Sequence, residues 1–133
     1  WAMGDAGLID GLCCVRDSIN SYTVDRLAQA GAAAAIGDEE YFQSIRRRVM
    51  DTRARTEKAL KVKGFTVLPS QANFLFVSHP KCKGRTLLDG LRERDVLVRW
   101  WDKPEIQNWL RISIGTSGEM DALTAALEEL VQA

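Results

Sequence analysis

The sequence predicts an α/β fold in two layers, helices packed on a small sheet of about four strands. Three observations predict it. Up to Gly64 the apolar residues recur at helical spacing, as in Phe42, Ile45 and Val49. After Gly64 they gather into short runs of strand length, at 65–68 and 73–77. From there helical and strand-like segments alternate to a leucine-rich end.

Asp5 is placed to cap a helix running through Leu8, Leu12 and Val15. Asn20-Ser21-Tyr22-Thr23 breaks it with residue types that favour turns and caps. Residues 25–36 read as a second helix ended by Gly37, with Ala32 to Ala35 as strong helix formers. Asp38 then caps a long helix over 39–63. Its middle carries Arg46, Arg47, Arg48, Asp51, Arg53, Arg55, Glu57 and Lys58, which reads as a solvated face with i,i+4 charge pairs rather than a nucleic-acid surface. Gly64 stops it. Residues 65–68 form a strand, Pro69-Ser70 a turn, and 73–77 a near-continuous apolar strand. Residues 85–94 form an amphipathic helix through Leu87, Leu88 and Leu91. Strands follow at 96–99 and 110–114, separated by a loop at 102–105. Ser117 is placed to cap a last helix over 119–131, with Met120, Leu123, Leu127 and Leu130 as its stripe. Three leading helices are more than one small sheet can cover, so part of their apolar surface expects another domain or subunit.

Composition narrows the function classes. The 133 residues suffice for one modest core, with 46% apolar and 27% charged residues in the globular range. Eighteen basic and eighteen acidic residues cancel, which argues against nucleic acid or an acidic membrane as partner. No apolar run approaches the roughly 20 residues of a membrane span. Trp1-Ala2-Met3-Gly4-Asp5 has neither a basic region nor an apolar one, so no signal peptide is expected there. Cys13, Cys14 and Cys82 lack metal-ligand spacing and read as reduced thiols of a cytoplasmic protein. His79 stands alone before Pro80, which speaks against a zinc site or a His-based catalytic unit.

Two arginines stand out by placement. Arg99 ends a strand beside Trp100 and Trp101. Arg111 lies inside the apolar strand Trp109-Leu110-Arg111-Ile112-Ser113-Ile114-Gly115, where alternation puts it on one face with Ser113 and Gly115. A charge on a largely apolar strand needs an anionic partner, because desolvating it alone is costly. The residues leave open whether that partner is a structural carboxylate or a ligand.

Several motifs in order point to one family. Leu110-Arg111-Ile112-Ser113-Ile114-Gly115-Thr116 followed by Glu119 and Met120, Pro69-Ser70-Gln71-Ala72-Asn73-Phe74-Leu75, and Asp95-Val96-Leu97-Val98-Arg99 resemble the closing segments of histidinol-phosphate aminotransferases. Gly4, Asn20-Ser21-Tyr22 and Leu27-Ala28-Gln29-Ala30 match upstream. The resemblance covers essentially the whole chain and implies the small C-terminal domain of a fold-type I aminotransferase over 38–133, preceded by connecting helices over 1–37. It implies that Arg111 grips the anionic end of the substrate, the phosphate of histidinol phosphate in this branch, and that Arg99 helps. Asn73 would line the substrate side. Asn20, Ser21 and Tyr22 would belong to a loop that approaches the cofactor site across a homodimer interface.

The resemblance also implies a pyridoxal-phosphate enzyme of histidine biosynthesis, moving an amino group between histidinol phosphate and a 2-oxo acid. Its Schiff-base lysine has no counterpart in this sequence: Lys58, Lys61, Lys63, Lys81, Lys83 and Lys103 occupy non-matching positions. The chain alone is therefore expected to be inactive and to bind no pyridoxal phosphate. Alternatives are part of a phosphothreonine decarboxylase-like enzyme, a stand-alone module binding phosphorylated metabolites without chemistry, and a folded remnant without function.

Overall fold

The structure, a computed structural model, describes residues 3–20 and 24–132. The chain divides into two compact units, one ending at Phe42 and the other beginning at Gln43.

The first unit is helical. Helix α1 spans Ala6–Asn20, and the Asp5 carboxylate accepts from Gly7 N at 2.9 Å, capping it as the sequence predicts. Helix α2 spans Arg26–Gly37, capped by Asp25, whose side chain accepts from Ala28 N. The break expected at Asn20-Ser21-Tyr22-Thr23 lies outside the described residues beyond Asn20, where α1 ends. Leu8, Leu12, Val15 and Ile19 are all exposed, and no residue of α2 is buried. Helix α3 spans Glu39–Val62, starting on the Asp38 carboxylate, which accepts from Tyr41 N at 3.1 Å. It carries the chain from one unit into the next.

The second unit holds the core. Gly64, at φ 86°, ends α3 in the left-handed conformation that a side chain resists. Strands β1 (Thr66–Val67), β2 (Phe74–Ser78) and β3 (Trp109–Ser113) form an antiparallel sheet in the order β1-β2-β3. Helix α4 (Gly84–Arg92) and helix α5 (Ser117–Gln132) complete it. Alternation along the strands sends Leu75, Val77, Leu110 and Ile112 into one buried cluster with Leu87, Leu91, Leu123 and Leu127 of α4 and α5. Leu60 of α3 joins the same cluster, and Arg55 and Lys63 pair with Asp121 and Glu128 of α5.

Three sequence expectations need correction. The strand expected at 96–99 reduces to one bridged pair, Arg99 with Arg111. Asp95, at φ 56°, turns the chain sharply after α4, and Leu97 is 83% exposed, so only Arg99 reaches the edge of β3. The cap of α5 is Thr116 rather than Ser117: the Thr116 hydroxyl accepts from Glu119 N at 3.4 Å, and the Glu119 carboxylate accepts from Thr116 N at 2.6 Å. These two bonds make a reciprocal capping box. The bonds from Thr116, backbone first and hydroxyl second, hold the Glu119 carboxyl below the ordinary glutamate range. Finally, Arg53 is not part of a solvated face. It is 8% exposed and donates to Ala72 O at 2.7 Å, which fixes the turn that leads into β2.

Candidate functional site

The face of the sheet turned away from the core carries Phe74, Phe76, Trp109 and Arg111, all half-buried. Arg111 sits opposite Phe76 of β2 on one side and Arg99 on the other. Its backbone N and O both bond to Arg99, at 2.8 and 3.0 Å. The Phe76–Arg111 pair is therefore the non-hydrogen-bonded kind, which brings its side chains closer.

The segment after Arg99 brings Trp101 over this face. The Arg99 guanidinium lies 5.4 Å from the Trp101 ring centre and the Arg111 guanidinium 5.6 Å from the same ring. Arg111 also lies 5.4 Å from the Phe74 ring. Phe76 meets Trp101 edge-on at 6.3 Å and stacks on Trp109 at 5.2 Å. Two like charges thus share one aromatic face. Among the described residues neither has a carboxylate partner, and Arg111 Nε is buried without any hydrogen-bond partner. The other long-range arginine contacts are different: Arg53 has Ala72 O, Arg55 has Asp121, and Arg94 has Glu129. The structural ion pair left open by the sequence is absent at Arg111 among the described residues, and what remains is a doubly cationic surface with free N–H donors. Such a surface suits a phosphate or carboxylate.

The other expected site residues are placed less closely. Asn73 precedes β2 with an exposed side chain, and its carbonyl accepts from Ile114 N at 2.8 Å, a role in sheet pairing. Asn20 ends α1, while Ser21 and Tyr22 lie outside the described residues. Sequence reasoning did not single out Trp101 or Phe74 as site residues. The only signal was the tryptophan pair directly after Arg99.

Other features are already satisfied internally. A hollow beside β3 is lined by Val96, Val98, Ile114 and Met120, and of its charged groups Arg94 is paired with Glu129 and Glu119 is bonded to Thr116. His79 is buried against Phe65, ring centres 4.8 Å apart, and its Nδ1 accepts from Lys81 N at 3.4 Å. Cys13, Cys14 and Cys82 are free thiols. Among the described residues no helix is long and apolar enough to cross a membrane, and no cluster of three or more His, Cys, Asp or Glu could hold a metal.

The family described as aminotransferase class I and II matches residues 1–128, and the chain belongs to that family. The sequence is 49% identical over 128 residues to a histidinol-phosphate aminotransferase of Chromohalobacter salexigens, covering 96% of this chain and 36% of that protein. It is 50% identical over 131 residues to histidinol-phosphate aminotransferase 2 of Rhizobium meliloti, covering 98% and 37%. The fold matches the crystal structure of histidinol-phosphate aminotransferase from Sinorhizobium meliloti in complex with pyridoxal-5'-phosphate, with a TM-score of 0.75 at 28% identity. That match covers 92% of this chain and 34% of that one. The chain thus spans little more than a third of the length of the curated relatives it matches.

Proposed function

We propose that this chain is the substrate-anion-holding C-terminal part of a histidinol-phosphate aminotransferase, an enzyme that moves an amino group between histidinol phosphate and a 2-oxo acid in histidine biosynthesis. One observation carries the reading: Arg99 and Arg111 face each other as a single bridged pair at the edge of β3, with no carboxylate partner among the described residues, and Arg111 Nε is buried and unpartnered. Names of relatives at about half identity supply the substrate class. A phosphate monoester carries about −1.5 to −2 charge near neutrality, which two guanidinium groups match. Paired N–H donors would orient the ester so that the rest of the substrate points away from the sheet, and Trp101 and Phe74 would keep water from the charged contact.

Pyridoxal phosphate, the cofactor bound in the Sinorhizobium structure, supplies an electron sink when bound. The residues of this chain do not by themselves fit it. A lysine that condenses with an aldehyde works best withdrawn from water, yet Lys58, Lys61, Lys81, Lys83 and Lys103 are exposed and Lys63 is paired with Glu128. The role proposed for these residues is to bind and orient the substrate. Asn73, the loop of Asn20, Ser21 and Tyr22, the connecting role of residues 1–37 and the small-domain role of 38–133 belong to the same proposal. Exposed Leu8, Leu12, Val15 and Ile19 support self-association as a homodimer, and the free thiols support a reducing, cytoplasmic setting.

The test is titration calorimetry on the 133-residue chain. Histidinol phosphate should bind with an affinity that falls as salt rises, and histidinol should not bind. Equal binding of the two would remove the reading.

A further inference from the structure

We infer that Trp101 is the positioning residue of the arginine pair: its indole face fixes the spacing of the Arg99 and Arg111 guanidinium groups while leaving their charge and their donors free. This role rests on the anion-site reading above and deepens it.

The geometry raises a question that the arginines alone do not answer. Arg99 and Arg111 exchange both backbone hydrogen bonds, so their Cα atoms are locked opposite each other and their like charges share a face. Like charges directly opposite on a sheet repel and destabilise it. Proteins usually relieve such a pair with a carboxylate, and among the described residues none does so here. Both guanidinium groups instead lie within 5.6 Å of one ring centre, that of Trp101. An aromatic face attracts a cation through its quadrupole. Unlike a carboxylate it neutralises nothing and takes up no in-plane N–H donor. The site therefore keeps two full charges for an incoming anion, at a separation set by a rigid ring.

Trp101 is itself held. It is half-buried, and Phe76, the partner of Arg111 across the sheet, meets it edge-on at 6.3 Å. Its neighbour Trp100 donates from Nε1 to Gln107 O at 2.7 Å, closing the 101–106 turn behind it. Gly84 lets that turn approach α4: a Cβ there would stand 2.5 Å from Gln107 O. The ring is thus anchored from the sheet below and from the loop it belongs to. A platform fixed in this way lowers the ordering cost of two long side chains, the main loss when flexible cations grip an anion.

The test uses the 15N-labelled 133-residue chain and inorganic phosphate as probe, read on the arginine Nε–Hε signals and assigned with Arg99→Lys and Arg111→Lys. In the wild type these two signals should be displaced by the indole ring current and should move together as phosphate is added. In Trp101→Leu the displacement should vanish and the phosphate Kd should rise about ten-fold, with the backbone spectrum of β2, β3 and α5 retained. Trp101→Phe, with a smaller ring, should lose about three-fold, and it carries the test if Trp101→Leu fails to fold. A tryptophan that only packs would change the melting temperature without touching the arginine signals. Unchanged phosphate affinity in the folded variants would overturn the role of Trp101 and leave the anion site standing. A wild type whose two arginine signals ignore phosphate would overturn the anion site itself, and this role with it.

Discussion

The two faces of one sheet are built on opposite rules. Leu75, Val77, Leu110 and Ile112 point to the helices and are essentially sealed from water, while their chain neighbours Phe74, Phe76, Trp109 and Arg111 point the other way and stay half-buried. The first set is explained by packing alone. The second combines aromatic rings with a charge that no described carboxylate balances. Residues one position apart on the same strand therefore sit in different surroundings, a sealed apolar core on one side and, on the other, the face proposed to meet an anion.

That contrast is sharpest where stability is measured. Leu110→Ala empties a fully buried site and should cost about 3 kcal/mol in urea unfolding. Arg53→Ala should cost about 2 kcal/mol, because it strands the Ala72 carbonyl in a part-buried turn and removes the link from α3 to the start of β2. Thr116→Ala, which opens the capping box of the helix covering the core face, should cost about 1 kcal/mol. The same box has an acid limb. Glu119 is held below its ordinary range, so its contribution is complete above the unfolded-state value and fades as pH falls through the lower folded value. Stability followed from neutral to acid pH should show this limb in the wild type and a flatter one in Glu119→Gln. Smallest of all should be Arg111→Ala on the open face, within about 0.5 kcal/mol of wild type, since losing its packed stem is offset by relief of the repulsion with Arg99. A large loss there would erase the distinction between the faces.

How much of this was legible beforehand follows from which interactions are local. Helix starts at Asp5 and Asp38 were readable because caps act over three residues, and the alternation around Leu110 and Ile112 was readable because strand period is local too. Arg53 was not, since a charge run on a helix looks solvated until a carbonyl from a distant turn arrives to take it. The strand expected at 96–99 failed because β propensity in Val96, Leu97 and Val98 says nothing of whether a partner edge lies within reach. Arg111 was found by its position inside an apolar strand and Arg99 as the end of the strand expected at 96–99, whereas the missing carboxylate needed the folded chain. Trp101 illustrates the limit: adjacency to Arg99 was visible, whereas its place above Arg111 depends on the turn that Gln107 and Gly84 allow.

The central claim is that Arg111 is kept for a ligand rather than for the fold. Its most direct test is the melting temperature of the 133-residue chain against phosphate concentration, compared with chloride at equal ionic strength. Wild type should be stabilised progressively by phosphate, Arg99→Ala partly, and Arg111→Ala not at all, while all three melt close together without phosphate. Arg111 lies mid-strand, its guanidinium within 5.6 Å of both the Trp101 and Phe74 ring centres, so its loss should exceed that of Arg99 at the edge. A wild type indifferent to phosphate, together with an Arg111→Ala variant that melts far below it, would contradict the claim and return Arg111 to a structural role.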